Sequence, residues 1–323
     1  MSIKSLALKS LGLGINTLGI FSPERAGKIA FKIFAKPPKP RIKPKESAFL
    51  AAAERIDIEF EGKNIAVFSW GDPSKPYIFT SYGWAYNSGR WRYYVPPLVE
   101  AGFRVIAYDP PGHGMSDFSF VEYPMMVRLQ TQLIKQFGRP KLFLGHSFGS
   151  GCFIGTMHGL PPELRPERVC IMGSFSEARY IFHLYRRALG LSQFIYRQLT
   201  DHIYQITGQR LSSFDNARLA ADLEDVDCLL IHDPKDPVTT FSNAIRNHAY
   251  WPGSYLYRAD GSGHHLGTTE VTEVVINWLV NGIPPTEAEY SYGQADAHHE
   301  LRQFFLPLEQ DTLHGRVHST FYS

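Results

Sequence analysis

Short apolar runs, set apart by turn residues and by longer mixed segments, dominate the chain from about residue 55 onward. Residues 56–60 alternate between apolar and charged positions, pass through Glu61-Gly62-Lys63, and lead into a second run at 65–70. Two such runs joined by a glycine-containing turn predict an antiparallel hairpin. The runs at 77–80, 104–108, 141–144, 168–172, 227–231 and 254–257 are mostly continuous rather than alternating, as expected of strands buried on both faces. Between them lie segments long enough for helices, among them 123–137 and 148–158. Alternation of strand and helix predicts an α/β fold with a mostly parallel sheet of eight strands, flanked by helices.

One connection breaks the rhythm. About fifty residues, 175–226, separate two strands expected to be near neighbours, and a connection of that length usually has a function of its own. Tyr180, Ile181, Phe182, Leu184 and Tyr185, followed by Leu191, Phe194, Ile195 and Tyr196, make it helical and strongly apolar, which predicts a short helical cap.

The first 45 residues form a different region. Ser22 is placed to cap a helix that starts at Pro23, with Ala26, Ile29, Ala30, Ile33 and Phe34 on one face and Arg25, Lys28, Lys32 and Lys36 on another. The stretch 36–45 holds four prolines among basic residues and predicts an extended linker. The expected organisation is therefore a basic amphipathic arm and linker over 1–45, a main domain over 46–282 and a C-terminal extension over 283–323.

Charge sharpens this division. Residues 1–45 hold ten lysines and arginines against one acidic residue, Glu24, a net +9, which leaves −7 for the rest of a chain whose total is +2. The arm is expected to pack on the body of the domain, although a basic amphipathic helix also has the composition of one lying on a membrane surface. A disordered arm is the third reading. Nucleic acid is not an expected partner, because the charge run lacks a matching basic fold. The segment 6–21 is apolar but contains Lys9, Asn16 and three glycines, so it predicts neither a membrane span nor a cleaved leader. Cys152, Cys170 and Cys228 each sit in an apolar run far from the others, as buried thiols in a reducing compartment would. The expected location is the cytoplasm, with peripheral attachment at the inner membrane face if the arm binds lipid.

The sharpest chemical signal is Gly145-His146-Ser147-Phe148-Gly149, between a predicted strand and a predicted helix. A serine held in a tight strand-to-helix elbow is exposed for attack, and the flanking glycines remove side chains that would collide there. Serine is a poor nucleophile near neutral pH and needs a base, which needs an acid to orient it. After the strand at 227–231 come His232-Asp233-Pro234-Lys235-Asp236, with two acids; after the last strand come Gly261-Ser262-Gly263-His264-His265.

Taken with Asp109-Pro110-Pro111-Gly112-His113-Gly114-Met115-Ser116-Asp117, these motifs resemble the α/β-hydrolase superfamily over roughly residues 55–282. The resemblance implies Ser147 as nucleophile, His264 as base and Asp236, the second acid of its pair, as supporting acid. It also implies an oxyanion hole formed by the backbone N–H groups of Phe148 and of Trp84. In the loop Ser81-Tyr82-Gly83-Trp84, Tyr82 stands where many members have histidine.

Tyr82 and His146 beside the elbow, and Tyr180, Phe182 and Tyr185 in the cap, are candidates to line the substrate site. His146 and His113 also read as packing histidines. His298, His299, His314 and His318 in the tail read as solvated, and neither metal nor organic cofactor is expected. The expected function is hydrolysis of a small-molecule ester or related acyl bond carrying an apolar group. Acyl transfer or C–C bond hydrolysis on the same triad, or a non-catalytic interaction protein that keeps the fold, are the alternatives.

Overall fold

A computed structural model describes residues 3–38 and 41–290. Helices α1 (Ile3–Phe21), α2 (Pro23–Phe34) and α3 (Pro44–Ala51) come first, followed by the hairpin β1 (Glu54–Phe60) and β2 (Lys63–Trp70). Then follow β3 (Tyr77–Ser81), α4 (Val95–Glu100), β4 (Arg104–Tyr108), α5 (Tyr123–Phe137), β5 (Leu142–His146), α6 (Ser147–Gly159) and β6 (Arg168–Met172). Two further helices are α7 (Ala178–Leu189) and α8 (Gln193–Thr207). The last elements are α9 (Asn216–Ala220), β7 (Asp227–His232), α10 (Phe241–Tyr250), β8 (Tyr255–Arg258), α11 (Thr269–Asn281) and β9 (Glu289–Tyr290). The histidines of the tail lie outside the described residues.

The chain forms two compact units. The larger, residues 35–176 and 215–292, carries the sheet, in the order β1-β2-β4-β3-β5-β6-β7-β8-β9. β1 and β2 form the expected antiparallel hairpin and β2 runs antiparallel to β4, whereas β4 through β8 are parallel. The eight expected strands are joined by a ninth, the two-residue β9, antiparallel to β8. It lies in the polar stretch after residue 282, where no apolar run marks a strand.

Burial explains why the middle strands read as continuous apolar runs: every residue of β3 and β5 is buried. Phe143 of β5 stacks on Phe153 of α6 with ring centroids 3.5 Å apart, and Trp278 of α11 donates its indole N–H to the carbonyl of Val169 at 2.9 Å. Each large apolar side chain so enclosed stabilises the fold by about 1.5–3 kcal/mol relative to exposure. The three cysteines are free and buried.

The order of the strands locates the site. After β3 the chain adds β4 on one side of it, then crosses to add β5 on the other. At such a reversal the two loops leaving the carboxyl ends part and open a crevice, where ligands of parallel α/β sheets bind. Ser81 pairs with Gly145, so Tyr82 and His146 leave the sheet side by side.

The smaller unit, among the described residues, joins 3–34 to 177–214, and its helices there are α1, α2, α7 and α8. Within it α1 and α2 dock on α7 and α8 by their smallest side chains. A Cβ added to Gly12 would fall 1.8 Å from the carbonyl oxygen of Leu189, one on Gly19 2.1 Å from Cδ1 of Ile195, and one on Gly27 2.6 Å from the main chain of Gln198. Asn16 fixes the approach, donating to the carbonyl of Gly190 at 2.9 Å and accepting from the Ser192 N–H at 2.9 Å. The Phe34 ring packs against Phe182 with centroids 4.1 Å apart, and the Tyr185 hydroxyl donates to the carbonyl of Ala30 at 2.8 Å. The apolar segment 6–21 is thus part of one long helix, and the basic helix begins at Pro23 as expected.

Candidate active site

β5 ends in Gly145-His146, and Ser147 turns the chain into α6 with φ +52°, a left-handed conformation that costs a non-glycine residue roughly 1–2 kcal/mol. The glycines around it have no room for a side chain. A Cβ on Gly145 would meet the Phe143 ring at 2.4 Å, and one on Gly149 would meet the carbonyl oxygen of Tyr82 at 2.4 Å. The turn therefore pins the start of α6 against the loop after β3 and leaves Ser147 Oγ facing His264.

The loop after β8 brings His264 to that serine. Gly261 and Gly263 turn it with φ of +77° and +59°, and the Tyr94 hydroxyl anchors it by donating to the carbonyl of Leu266 at 3.1 Å. His264 Nε2 lies 3.0 Å from Ser147 Oγ, and its Nδ1 lies 2.7 Å from Asp236 Oδ2. His265 faces elsewhere, bonded to the Tyr86 hydroxyl at 3.0 Å, while the Arg90 guanidinium sits 4.0 Å from the Tyr86 ring centroid. Burial and the nearby guanidinium push the pKa of His265 down.

The two acids of the loop after β7 have separate tasks. Asp236 Oδ1 accepts the N–H groups of Val238 at 2.7 Å and Thr239 at 3.0 Å, and its Oδ2 accepts the Thr239 hydroxyl at 3.0 Å beside His264. Burial raises its pKa, but the hydrogen bonds from His232 and His264 and the backbone donors outweigh burial and hold the carboxyl well below the usual carboxylate range. It stays ionised and favours the Nδ1–H tautomer of His264, which leaves Nε2 free to accept a hydrogen bond from the Ser147 hydroxyl. Asp233 instead accepts the Lys235 N–H at 2.7 Å and the Gly263 N–H at 2.5 Å, so it braces the histidine loop.

The loop after β3 passes close to the serine. A Cβ on Gly83 would come within 2.8 Å of Ser147 Cβ and 3.2 Å of its Oγ. Trp84 follows, its ring edge-on to Phe148 at 5.6 Å. Phe148 is in the first turn of α6, where main-chain N–H groups have no intrahelical acceptor and the helix dipole is positive. Tyr82 and His146 stack at 4.6 Å beside Ser147, and burial raises the pKa of the Tyr82 phenol. The Nδ1 of His113 lies 2.9 Å from the carbonyl of Pro111, and Asp109 holds the rest of that turn by accepting the N–H groups of Ser88 and Met115 at 2.7 Å each.

Of the cap candidates, Phe182 and Tyr185 pack on Phe34, and Tyr180 is buried in the same helix. Sequence reading missed Thr239 and His232 around Asp236, and the Tyr86–Arg90–His265 cluster. A hydroxyl three residues after an aspartate was the one available hint for Thr239.

Residues 78–277 match the alpha/beta hydrolase family. The chain belongs to that family. Among curated relatives, the hydrolase is 33% identical over 95 residues to bifunctional epoxide hydrolase 2 of Rattus norvegicus, a stretch covering 28% of this chain and 17% of the rat protein. It is 38% identical over 56 residues to the bifunctional esterase/perhydrolase DCH of Acinetobacter calcoaceticus, covering 17% and 20% of the two chains. The matched stretches thus span a fifth or less of these two relatives. Among solved structures, a carboxylesterase from Bacillus subtilis superposes with a TM-score of 0.54 over 74% of the hydrolase and 97% of its own chain, at 16% identity, a likeness of fold.

Proposed function

We propose that this hydrolase is a serine esterase acting on a carboxylic ester with an apolar group. The reading is carried by the continuous run of hydrogen bonds Ser147 Oγ–His264 Nε2 and His264 Nδ1–Asp236 Oδ2. Ser147 Oγ attacks the ester carbonyl while His264 Nε2 takes its proton, and Asp236 stabilises the imidazolium that forms. The tetrahedral oxyanion is held by the backbone N–H groups of Phe148 and Trp84. Collapse expels the alcohol, which receives the proton from His264 and leaves an acyl group on Ser147. Water then attacks, giving up its proton to His264, and the acid is released as the serine recovers its proton.

The nucleophile separates this reading from epoxide opening. Attack by a serine oxygen on an epoxide would leave an ether, which an imidazole-activated water does not cleave, so turnover through Ser147 requires an acyl bond. The rings of Tyr82, Trp84 and Phe148 beside the serine support an apolar acyl or alcohol group.

The test is labelling of the purified protein by a fluorophosphonate, with hydrolysis of p-nitrophenyl esters of rising acyl length measured beside it. Labelling of wild type, its loss in Ser147→Ala and His264→Ala, and kcat/KM that rises with acyl length are expected. An unlabelled wild-type protein would overturn the serine mechanism, and a response flat in acyl length would overturn the apolar site. Product analysis with an added alcohol distinguishes hydrolysis from acyl transfer: a free acid as main product is expected.

A further inference from the structure

Helix α1 is amphipathic in an inverted sense: it packs by glycines and exposes its largest side chains. Gly12, Ile15 and Gly19 are buried. Leu6, Leu13 and Ile20 are 57%, 67% and 76% exposed, and Phe21 beside them is 83% exposed. Leu6, Leu13 and Ile20 are seven residues apart, a spacing that drifts by only about 20° per step on an α-helix, so they form one row. Leu8 and Leu11, 42% and 41% exposed, lie about 140° and 160° around the helix from Leu13 and are not part of the row. Lys9 and Ser10 lie on that face between Leu6 and Leu13, and Asn16 and Thr17 between Leu13 and Ile20. Isolated exposed leucines are ordinary; large apolar side chains repeated along one face and ending in the exposed pair Ile20 and Phe21 mark a contact surface.

The charge around the row selects among partners. No acidic residue occurs in positions 1–23, and the following helix carries Arg25, Lys28 and Lys32, all exposed, with Glu24 as the one counter-charge. Glu24 is engaged with Lys28 at 2.7 Å. A second copy would bring one arm of net +9 against another, which opposes self-association. An anionic lipid surface offers acyl chains for the row and negative headgroups for the basic residues. No described helix is long and apolar enough to cross a membrane, so α1 would lie along the surface.

We propose that the exposed row of α1, centred on Leu13 and Ile20, inserts into the headgroup boundary of an anionic bilayer, with the basic residues of α2 supplying the attraction to that surface. The row shares no residue with the Ser147 site, so neither proposal stands or falls with the other.

The experiment is vesicle flotation of the full chain at low ionic strength, with vesicles of phosphatidylglycerol and phosphatidylcholine or of phosphatidylcholine alone. Wild type should float with the anionic vesicles and remain mostly free with the neutral ones. Leu13→Glu/Ile20→Glu should bind roughly tenfold less or worse, with its circular dichroism melt unchanged because both positions are exposed. Arg25→Gln/Lys32→Gln should bind anionic vesicles roughly tenfold less, and raised salt should narrow that difference. Failure of wild type to float, or equal flotation of the leucine-row variant, would overturn the proposal. So would sedimentation showing a wild-type dimer that Leu13→Glu/Ile20→Glu makes monomeric while neither protein floats, which would assign the row to self-association.

Discussion

The imidazole of His146 reaches the main chain of His264, its Nε2–H donating to that residue's carbonyl oxygen at 2.7 Å. The residue before the elbow serine thus holds the backbone of the histidine that faces that serine. The bond ties the end of β5 to the loop after β8 and requires a proton on Nε2 of His146.

The first expectation concerns pH. Burial, with the neighbouring His264, pushes the pKa of His146 down to about 3 from an ordinary 6.5. Between these values the unfolded chain binds a proton that the folded chain does not. The contribution of His146 is therefore full above about pH 6.5 and is lost progressively as the pH falls toward 3, at up to about 1.4 kcal/mol per pH unit. Urea denaturation of wild type and His146→Gln from pH 6.5 to 4.5 should show a slope shallower by about one proton in the variant. Equal slopes would mean that His146 is protonated in the fold.

The two acids of the loop after β7 should part company when each is made an amide. Asp236→Asn removes the charge that fixes the tautomer of His264 and should lower kcat by roughly 10⁴-fold with little change in KM. Asp233→Asn weakens the brace on Gly263 and should cost about 1–3 kcal/mol of stability, with kcat falling less than about tenfold. Steady-state ester hydrolysis beside thermal melts measures both, and a reversal of the two effects would exchange their roles.

Gly83→Ala tests how tightly the loop after β3 is held at the serine. The added methyl would come within 2.8 Å of Ser147 Cβ, closer than carbon atoms approach, so loop or serine must shift. A displacement of a few tenths of an ångström at the reacting oxygen should lower kcat/KM by roughly 100-fold while the melt moves little. Near-wild-type kinetics would show that the loop yields freely.

Within the smaller unit, Gly12→Val should loosen α1 from α7 and α8, because its Cβ would overlap the Leu189 carbonyl. Hydrogen exchange over α1 should then accelerate at least tenfold. Gly14→Ala is the control: nothing lies within 4 Å of the added atom, so the change should stabilise the helix by about 0.5–1 kcal/mol and slow its exchange. Equal exchange in the two variants would count against docking through glycines.

The sheet was legible because apolar runs broken by turns report strands buried on both faces. The elbow, the acid loop and the histidine turn were legible because each has fixed spacing beside a strand. The choice of Asp236 over Asp233 rested on a family likeness, and the physical distinction lies in backbone donors that no spacing reveals. The junction of α1 and α2 with α7 and α8 was hidden for a different reason. Hydrophobic periodicity weighs large side chains, whereas Gly12, Gly19 and Gly27 make contact by being small. α3 escaped notice behind the prolines of the linker, although Pro44 at its first position and Glu46, which accepts the Lys43 N–H at 3.1 Å, mark its start. β9 is held by main-chain pairing with β8, which side-chain patterns do not encode.

The described residues of the smaller unit come from two stretches between which the chain runs through all of residues 35–176. During synthesis its first two helices therefore leave the ribosome on the order of ten seconds before α7 and α8, the surfaces they dock on, have been made. For that interval Gly12, Gly19 and Gly27 face water together with the leucine row, and it is the like charges of the arm that oppose contact with the arm of a neighbouring nascent chain. A gene truncated to begin at the main domain would reverse the problem, leaving α7 and α8 to emerge with no partner to receive them.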